Sequence, residues 1–306
     1  MNTETELFTT LLRGKGIPFC ANEKLSAHCT FRIGGNADVF AAPSDTAELI
    51  NVLEAVRESG CRYFILGRGS NILFDDAGYR GAVISTEKLT NVTFNGMTVT
   101  AECGVPLTKL AAMCGERGLS GLEFAYGIPG SVGGAVYMNA GAYGGEISQV
   151  ITTSHYIDLD RRLYLRSLDR EDHGYGYRES AFRQNNWLHV SSDFTLKEGD
   201  RDEIRRTMED YMQRRRDKQP LEFPSAGSVF KRYPGHYTGQ LIEEAGLKGY
   251  SIGGAEVSVK HAGFIINRGG ATSADVLDLI AHIKRVIKEK YGFDIECEVI
   301  HIKADE

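Results

Sequence analysis

The sequence lacks most of the marks by which an activity is commonly read. It has no Cys-x-x-Cys pair, no HExxH and no histidine–carboxylate cluster at ligand spacing. No metal is therefore expected. It has no Gly-x-x-x-x-Gly-Lys-Ser/Thr loop and no Gly-x-Gly-x-x-Gly turn. That disfavours a P-loop ATPase and a standard Rossmann domain. No Gly-x-Ser-x-Gly elbow surrounds Ser228, and no serine-hydrolase triad can be assigned. No apolar run is long enough to span a membrane. The start, Met1-Asn2-Thr3-Glu4-Thr5-Glu6, is acidic and carries no positive region ahead of an apolar stretch. A signal peptide is not expected, and the location expected is cytoplasmic. There is no basic excess: the net charge is -6, which disfavours general nucleic-acid binding and makes any basic site local. The six cysteines, Cys20, Cys29, Cys61, Cys103, Cys114 and Cys297, are scattered. They read as reduced thiols, many of them small core residues.

What is present is glycine, in two dense loops. Gly67-Arg68-Gly69-Ser70-Asn71 follows the apolar run Tyr63-Phe64-Ile65-Leu66. Gly127-Ile128-Pro129-Gly130-Ser131-Val132-Gly133-Gly134-Ala135 runs on to Asn139-Ala140-Gly141-Ala142-Tyr143-Gly144-Gly145. Glycine lets backbone approach a ligand closely, and successive free N–H groups form a concave anion site. Either loop alone reads as a tight turn or a sheet bend. Together, with Ser70, Asn71, Ser131 and Asn139 offering polar side chains, they favour one large anionic ligand such as a dinucleotide pyrophosphate.

With 306 residues the chain can hold two or three domains. Ala37–Ala42 reads as a strand and Pro43-Ser44-Asp45 as a helix start. Leu49, Val52, Leu53 and Val56 then recur at helical spacing, with Gly60 as cap. Arg62–Leu66 is a strand feeding the first glycine loop. Val92-Thr93-Phe94, Asn95-Gly96 and Thr98-Val99-Thr100 read as a hairpin with a type I′ turn. Thr152–Leu159, Arg162–Leu168 and Leu188–Leu196 read as strands. Asp202–Lys218 is an arginine-rich helix, and Ser273–Tyr291 a long amphipathic one carrying Val276, Leu277, Ile280, Ile283, Val286 and Ile287. Glu298–Ile302 is a final strand. Strands and helices alternate without a doubly wound pattern, so the class expected is α+β.

Three further segments could carry chemistry. Arg178, among the aromatics and glycines of Gly174–Arg183, offers a planar fork that matches a carboxylate. Its bland reading is a loop arginine pairing with Glu179 or Asp172. Ser228 sits among small residues in Ala226-Gly227-Ser228-Val229-Phe230-Lys231; alone it reads as a turn or cap residue. In Glu296-Cys297-Glu298, strand alternation places both carboxylates on one side; alone they read as a polar strand face.

These segments, in this order, carry a resemblance. The chain resembles the UDP-N-acetylenolpyruvoylglucosamine reductases, also called UDP-N-acetylmuramate dehydrogenases. The matching motifs are Thr30-Phe31-Arg32-Ile33-Gly34-Gly35, Leu66–Leu73, Gly127–Ala135 and Met138–Gly144, then Tyr177-Arg178-Glu179-Ser180, Ala226–Lys231, Lys260-His261-Ala262-Gly263-Phe264 and Glu296-Cys297-Glu298-Val299. The combination covers nearly the whole chain. It resembles the class without the tyrosine-bearing substrate loop, since the stretch between Arg178 and Ser228 is short. Arg232-Tyr233-Pro234 stands where some members carry Asn-Pro.

The resemblance implies a two-subdomain FAD-binding fold of the vanillyl-alcohol-oxidase (PCMH) type plus a C-terminal α/β substrate-binding domain. Residues 1–88, joined by a returning 296–306 segment, would be the first FAD-binding subdomain. Residues 89–200 would be the second, and 201–295 the substrate-binding domain. It implies non-covalent FAD held by Gly67, Arg68, Gly69, Ser70, Asn71, Ile128, Pro129, Gly130, Ser131, Gly134, Asn139, Gly141 and Ala142. NADPH is the implied co-substrate and UDP-N-acetylglucosamine enolpyruvate the substrate, reduced to UDP-N-acetylmuramate for peptidoglycan and cell-wall synthesis. By the same resemblance Arg178, Ser228 and Glu298 are catalytic. Lys218, Lys231, Tyr177 and Arg214 are implied substrate contacts. Two other readings compete: a flavin oxidase of the same broad fold, and a regulatory module that binds nucleotide without turnover. His28 and His155 lie in no recognisable linkage motif, so acid precipitation is expected to leave the yellow colour in the supernatant. Colour retained in the pellet would contradict non-covalent FAD.

Overall fold

The structure is a computed structural model that describes residues 2–305. It groups into two compact units, each assembled from separated stretches of chain. The first comprises 1–20, 39–68 and 82–214, and the second 21–38, 69–81 and 215–306.

In the first unit two helices, Thr3–Gly14 and Thr46–Ser59, bury Phe8, Leu12, Leu49, Val52 and Leu53 with Val39, Ala41, Ala82 and Ile84. The second helix starts where Asp45 accepts a hydrogen bond from the Glu48 amide (2.8 Å) and stops at left-handed Gly60. These are the two signals its sequence carries. Tyr63–Leu66 then runs parallel to Tyr79–Ser85, from Tyr63 opposite Ala82 to Leu66 opposite Ser85. Downstream lies a five-stranded antiparallel sheet. Its spatial order is Leu165–Asp169, Ile151–Asp158, Trp187–Thr195, Thr98–Glu102 and Val92–Asn95. Helix Leu107–Gly115 and the short helix Val132–Tyr137 contribute Leu107, Leu110, Val132 and Val136 to a core shared with Val99, Ile151, Phe182 and Phe194. The 92–102 hairpin turns one residue later than its sequence suggested. Asn95 pairs with Thr98, leaving Gly96-Met97 as the loop. Only Gly96 of that pair has positive φ (58°). That is the pattern of a type II′ turn, which asks for glycine first, rather than the type I′ expected.

One part of the first unit's core is polar. His173, Ser154 and Ser192 are fully buried and His189 nearly so. The Ser154 and Ser192 side chains face each other across paired strands at 2.7 Å. Ser154 Oγ also meets His173 Nε2 at 2.8 Å, and His189 Nε2 meets Ser192 Oγ at 2.6 Å. His173 Nδ1 faces the Asp169 carbonyl at 2.9 Å.

The second unit holds a four-stranded antiparallel sheet ordered Ser225–Ser228, Phe264–Asn267, Ala255–Val257, Ser251–Ile252. Helix Ser273–Tyr291 has the bounds its sequence gives, because Thr272 and Asp275 form a capping box and Gly292 ends it at φ 81°. It buries Val276, Leu279, Ile280, Ile283 and Ile287. Leu279 takes the place expected for Leu277, which is half-buried, as is Val286. The Asp76 carboxylate accepts from the Ser273 amide (2.9 Å) and hydroxyl (2.8 Å), fixing that helix start within the unit. Ile300–Ile302 returns to run parallel to Ile72–Phe74. It begins two residues after Glu298, where the sequence reading starts the strand. All six cysteines are free, and burial pushes the Cys103 and Cys114 thiols up to about 12.

Burial holds the His189 imidazole down to about 3, and it pulls His173 below its usual value as well. The unfolded chain, near 6.5, then binds the protons that the folded chain refuses. Stability is fully retained above pH 6.5 and falls as pH drops towards 3. His189 alone accounts for about 2 kcal/mol between pH 7 and pH 5. Urea denaturation at the two pH values should show at least this loss, and His189→Gln should remove most of it. A stability independent of pH over that range would contradict the neutral buried imidazole.

Candidate functional site

The two glycine loops meet inside the first unit. A Cβ on Gly67 would stand 3.0 Å from Ser131 Oγ. The second loop is laced on one edge to residues 103–108. Gly133 N donates to Cys103 O (2.8 Å), Val132 N to Val105 O (2.9 Å) and Leu107 N to Gly130 O (3.0 Å). Thr108 Oγ1 donates to Ile128 O (3.2 Å) and accepts from Gly127 N (3.1 Å). The opposite edge stays accessible: Pro129 and Gly134 are exposed, and Ile128 and Gly130 half-exposed. Ser131 is buried, and its hydroxyl caps the short helix through Gly134 N (3.3 Å). Farther along, Gly141-Ala142 pairs with Gly145-Glu146, and a Cβ on Gly141 would strike Gly145 O at 2.6 Å. These edges are bare backbone against close neighbours. They fit a ligand gripped by main-chain N–H groups, as a dinucleotide pyrophosphate is.

Asn139 was expected at the cofactor, but both ends of its side chain are engaged within the protein. Its Nδ2 donates to Gly176 O (3.1 Å), and its Oδ1 accepts from Ser148 N (3.0 Å). It is thereby part of the turn that carries Arg178. Gly176 and Glu179 exchange backbone hydrogen bonds of 3.2 and 3.3 Å. Ser180 Oγ donates to Tyr137 O (2.7 Å), and Arg183 Nη1 donates to Arg178 O (2.8 Å). Arg178 itself is half-buried with φ 58°, a left-handed conformation that costs a non-glycine residue about 1–3 kcal/mol. The surrounding bonds hold it there. Its guanidinium carbon lies 5.2 Å from the centroid of exposed Tyr177.

Arg214 lies elsewhere in the same unit, on helix Arg201–Lys218. It pairs with Asp210 at 2.8 Å and lines an open depression of about 660 Å³ with Tyr143, Arg206, Thr207 and Tyr211. Tyr143 stacks on Tyr211 at 4.3 Å.

In the second unit the structure brings Ser228 and Glu298 onto neighbouring segments. Left-handed Gly227 (φ 76°) sits within an irregular register, so that Ser225 pairs with Ile266 and Ser228 with Phe264. Val229 N donates to Gly263 O (2.9 Å) on one side, and Val229 O accepts from Glu298 N (2.8 Å) on the other. Ser228 Oγ is 3.2 Å from where a Cβ on Gly263 would be, and His261 Cε1 is 3.0 Å from that same point. His261 Nδ1 accepts from Gly263 N (3.1 Å), and burial lowers its pKa. The paired-carboxylate reading needs correcting. Residues 296–298 are not a strand but meet Phe230 through one isolated bridge at Cys297. Glu296 is exposed and bound to Lys231 Nζ at 2.7 Å, which lowers its pKa, whereas Glu298 is half-buried. Lys231, expected at the substrate, is therefore engaged with Glu296, and Lys218 is an exposed residue at its helix end.

The first loop continues into the second unit. Gly69 has φ 60°, and a Cβ there would strike His28 O at 2.4 Å, so no side chain fits. Asn71 Nδ2 donates to Glu298 O (3.1 Å), and Asn71 O accepts from Ile300 N (3.0 Å). Sequence reasoning placed Asn71 at a cofactor; its side chain holds the backbone of Glu298. Arg183, His173, Ser154, Ser192 and His189 were missed altogether as residues of interest. Only Arg183 lay within a segment the sequence singled out.

Two family models match separate stretches of the chain. Residues 37–160 match the family model of an FAD binding domain. Residues 219–302 match that of the UDP-N-acetylenolpyruvoylglucosamine reductase C-terminal domain. Together they define a flavin-dependent oxidoreductase with a dedicated C-terminal domain. A UDP-N-acetylenolpyruvoylglucosamine reductase of Halalkalibacterium halodurans is 47% identical over 279 residues, covering 91% of this chain and 92% of its own. One of Caldanaerobacter subterraneus subsp. tengcongensis is 46% identical over 91% of each chain. The crystal structure of UDP-N-acetylenolpyruvylglucosamine reductase (MurB) from Thermus caldophilus superposes with TM-score 0.78 at 31% identity, covering 93% of this chain and 98% of that one. The chain belongs to the UDP-N-acetylenolpyruvoylglucosamine reductase family.

Asn71→Ala should cost about 1 kcal/mol, the usual net worth of a lost hydrogen bond. It should also speed hydrogen exchange at the Ile300 amide. Unchanged exchange at Ile300 would show that the Asn71 side chain does not hold the C-terminal return.

Proposed function

We propose that this protein reduces UDP-N-acetylglucosamine enolpyruvate to UDP-N-acetylmuramate with NADPH, using non-covalent FAD, in the cytoplasmic stage of peptidoglycan synthesis. The observation that carries the reading is near-full-length identity to the reductases of this name, joined to the match of an FAD binding domain over residues 37–160. Among the described residues, no helix is long and apolar enough to cross a membrane. In this reading residues 1–88 and 89–200 form the two FAD-binding subdomains and 201–295 the substrate-binding domain.

The bare backbone of the 67–71 and 127–134 loops, with Gly141 and Ala142, would hold FAD. When bound there, FAD would supply the hydride transfer from NADPH to C3 of the enolpyruvyl group. The double bond of the substrate is conjugated to its carboxylate. Adding hydride at C3 therefore builds negative charge on C2 and in the carboxylate. Arg178 supplies a planar cation to that carboxylate, an interaction that strengthens as charge develops. Its left-handed backbone, fixed by Asn139 and Arg183, supports this preorganised role. Glu298 is a hydrogen-bond donor to the same region when protonated. Ser228 delivers a proton to C2, which with the hydride at C3 completes reduction of the double bond. The serine proton is then replaced from solvent through a relay. Tyr177 and Lys218 contact the substrate. Lys231 does so through a charge shared with Glu296, and Arg214 is the candidate for a phosphate.

Ser228→Ala should leave reduction of the flavin by NADPH within about twofold and slow reoxidation by the enolpyruvyl substrate by about 10²–10⁴, the usual worth of a positioned acid. Arg178→Lys should also slow reoxidation, because lysine cannot offer two parallel N–H donors. Stopped-flow absorbance separates the two half-reactions. Equal loss in both would mean that Ser228 is structural.

A further inference from the structure

The buried polar chain beneath the Arg178 turn is not used by the chemistry above. It comprises His189, Ser192, Ser154 and His173, carried by the neighbouring strands Ile151–Asp158 and Trp187–Thr195 and by the 170–173 turn that lies between them in sequence. Its hydrogen bonds have a single consistent direction when both imidazoles are neutral. His173 Nδ1 faces a carbonyl, which only accepts, so Nδ1 carries the proton. Nε2 is then an acceptor, and Ser154 must donate to it. With its proton so used, Ser154 accepts from Ser192, and Ser192 accepts from His189 Nε2–H. Reversing the chain would require a proton on both nitrogens of His173, in a fully buried site. The imidazole of His173 is therefore locked in one tautomer and one ring orientation.

That ring is the floor of the Arg178 turn. Tyr175 stacks on His173 with centroids 5.0 Å apart and planes 17° from parallel. Phe182 closes the other side, 5.9 Å from His173 and 5.4 Å from His189. Among the described residues the Tyr175 hydroxyl has no hydrogen-bond partner, so its stacked ring is what holds it. Three residues beyond Tyr175 comes Arg178, whose carbonyl is fixed by Arg183. A core needs no such chain for stability, since apolar groups of the same shape are nearly equivalent. What a directed buried network does supply is a unique arrangement: every link from His189 Nε2 to the Asp169 carbonyl is made, and only His189 Nδ1 has no hydrogen-bond partner among the described residues.

We propose that His173, oriented by Ser154 and Ser192, is a positioning residue that sets the Arg178 guanidinium through the Tyr175 stack. The proposal rests on the reading of Arg178 as the carboxylate-binding cation. It concerns the transfer to the enolpyruvyl substrate and not the reduction of flavin by NADPH.

The test uses the FAD-loaded enzyme and both half-reactions. His173→Phe keeps a flat ring under Tyr175 but loses both hydrogen bonds. Ser154→Ala keeps every ring and removes only the donor to Nε2. Each should slow reoxidation by UDP-N-acetylglucosamine enolpyruvate, His173→Phe by about tenfold. Reduction by NADPH and the flavin content should stay at the level of the unmodified enzyme. In an Arg178→Ala background the same changes should have no further effect, which a general loss of stability would not produce. Should His173→Phe fail to fold, Ser154→Ala carries the test alone. Slowing of both half-reactions together, no slowing of either, or an undiminished effect without Arg178 would overturn the proposal. If Arg178→Ala itself leaves reoxidation at full rate, the reading of Arg178 fails first. If Arg178→Ala slows it and the two core variants do not, only the positioning role fails.

Discussion

The second unit depends on one constraint, the clamping of residues 296–302 between two partners. On one side Lys231 N donates to Glu296 O and Glu298 N to Val229 O. On the other, Asn71 grips Glu298 O and accepts from Ile300 N, and Ile300–Ile302 zips along Ile72–Phe74. The backbone of Glu298 is thus bonded from both directions, and its side chain position follows from it. Ser228 is held by the same segment through Val229. A serine and a carboxylate some 70 residues apart in sequence share one local framework.

The first unit solves a related problem with different means. Its left-handed Arg178 would relax if its turn were free. Asn139 and Arg183 each use a side chain on the backbone around it, and the Ser180 hydroxyl ties the turn to Tyr137 O. Each of these bonds is individually modest, but together they pin an unfavourable conformation in a half-buried turn. The glycine loops work by the opposite economy. They omit side chains where backbone must come close, and Gly69 shows how little room remains.

Much of this was legible in the sequence where the signal was local. Thr272, the apolar period and Gly292 were enough to set helix Ser273–Tyr291. Asp45 and Gly60 did the same for Thr46–Ser59. The glycine loops announced a main-chain grip, and the ordered motifs announced the family. The signal failed where pairing decides. Asn95-Gly96 looked like a type I′ turn, but the register with Thr98 moved the turn to Gly96-Met97. Alternation put Glu296 and Glu298 on one face, yet no strand exists there to enforce it. Asn139 and Asn71 bond to backbone 37 and 227 residues away, partners that nothing in sequence shows. Ser154 and Ser192 are 38 residues apart and meet only through a strand register that contains a bulge.

The measurement that tests the account most directly is an anaerobic absorbance titration of the purified protein. NADPH is added first, and UDP-N-acetylglucosamine enolpyruvate second. The account predicts a flavin band that bleaches with NADPH and returns with the enolpyruvyl substrate. A band that bleaches and returns only with oxygen would contradict the assigned acceptor. A protein that neither carries FAD nor takes it up would contradict the reading of the glycine loops.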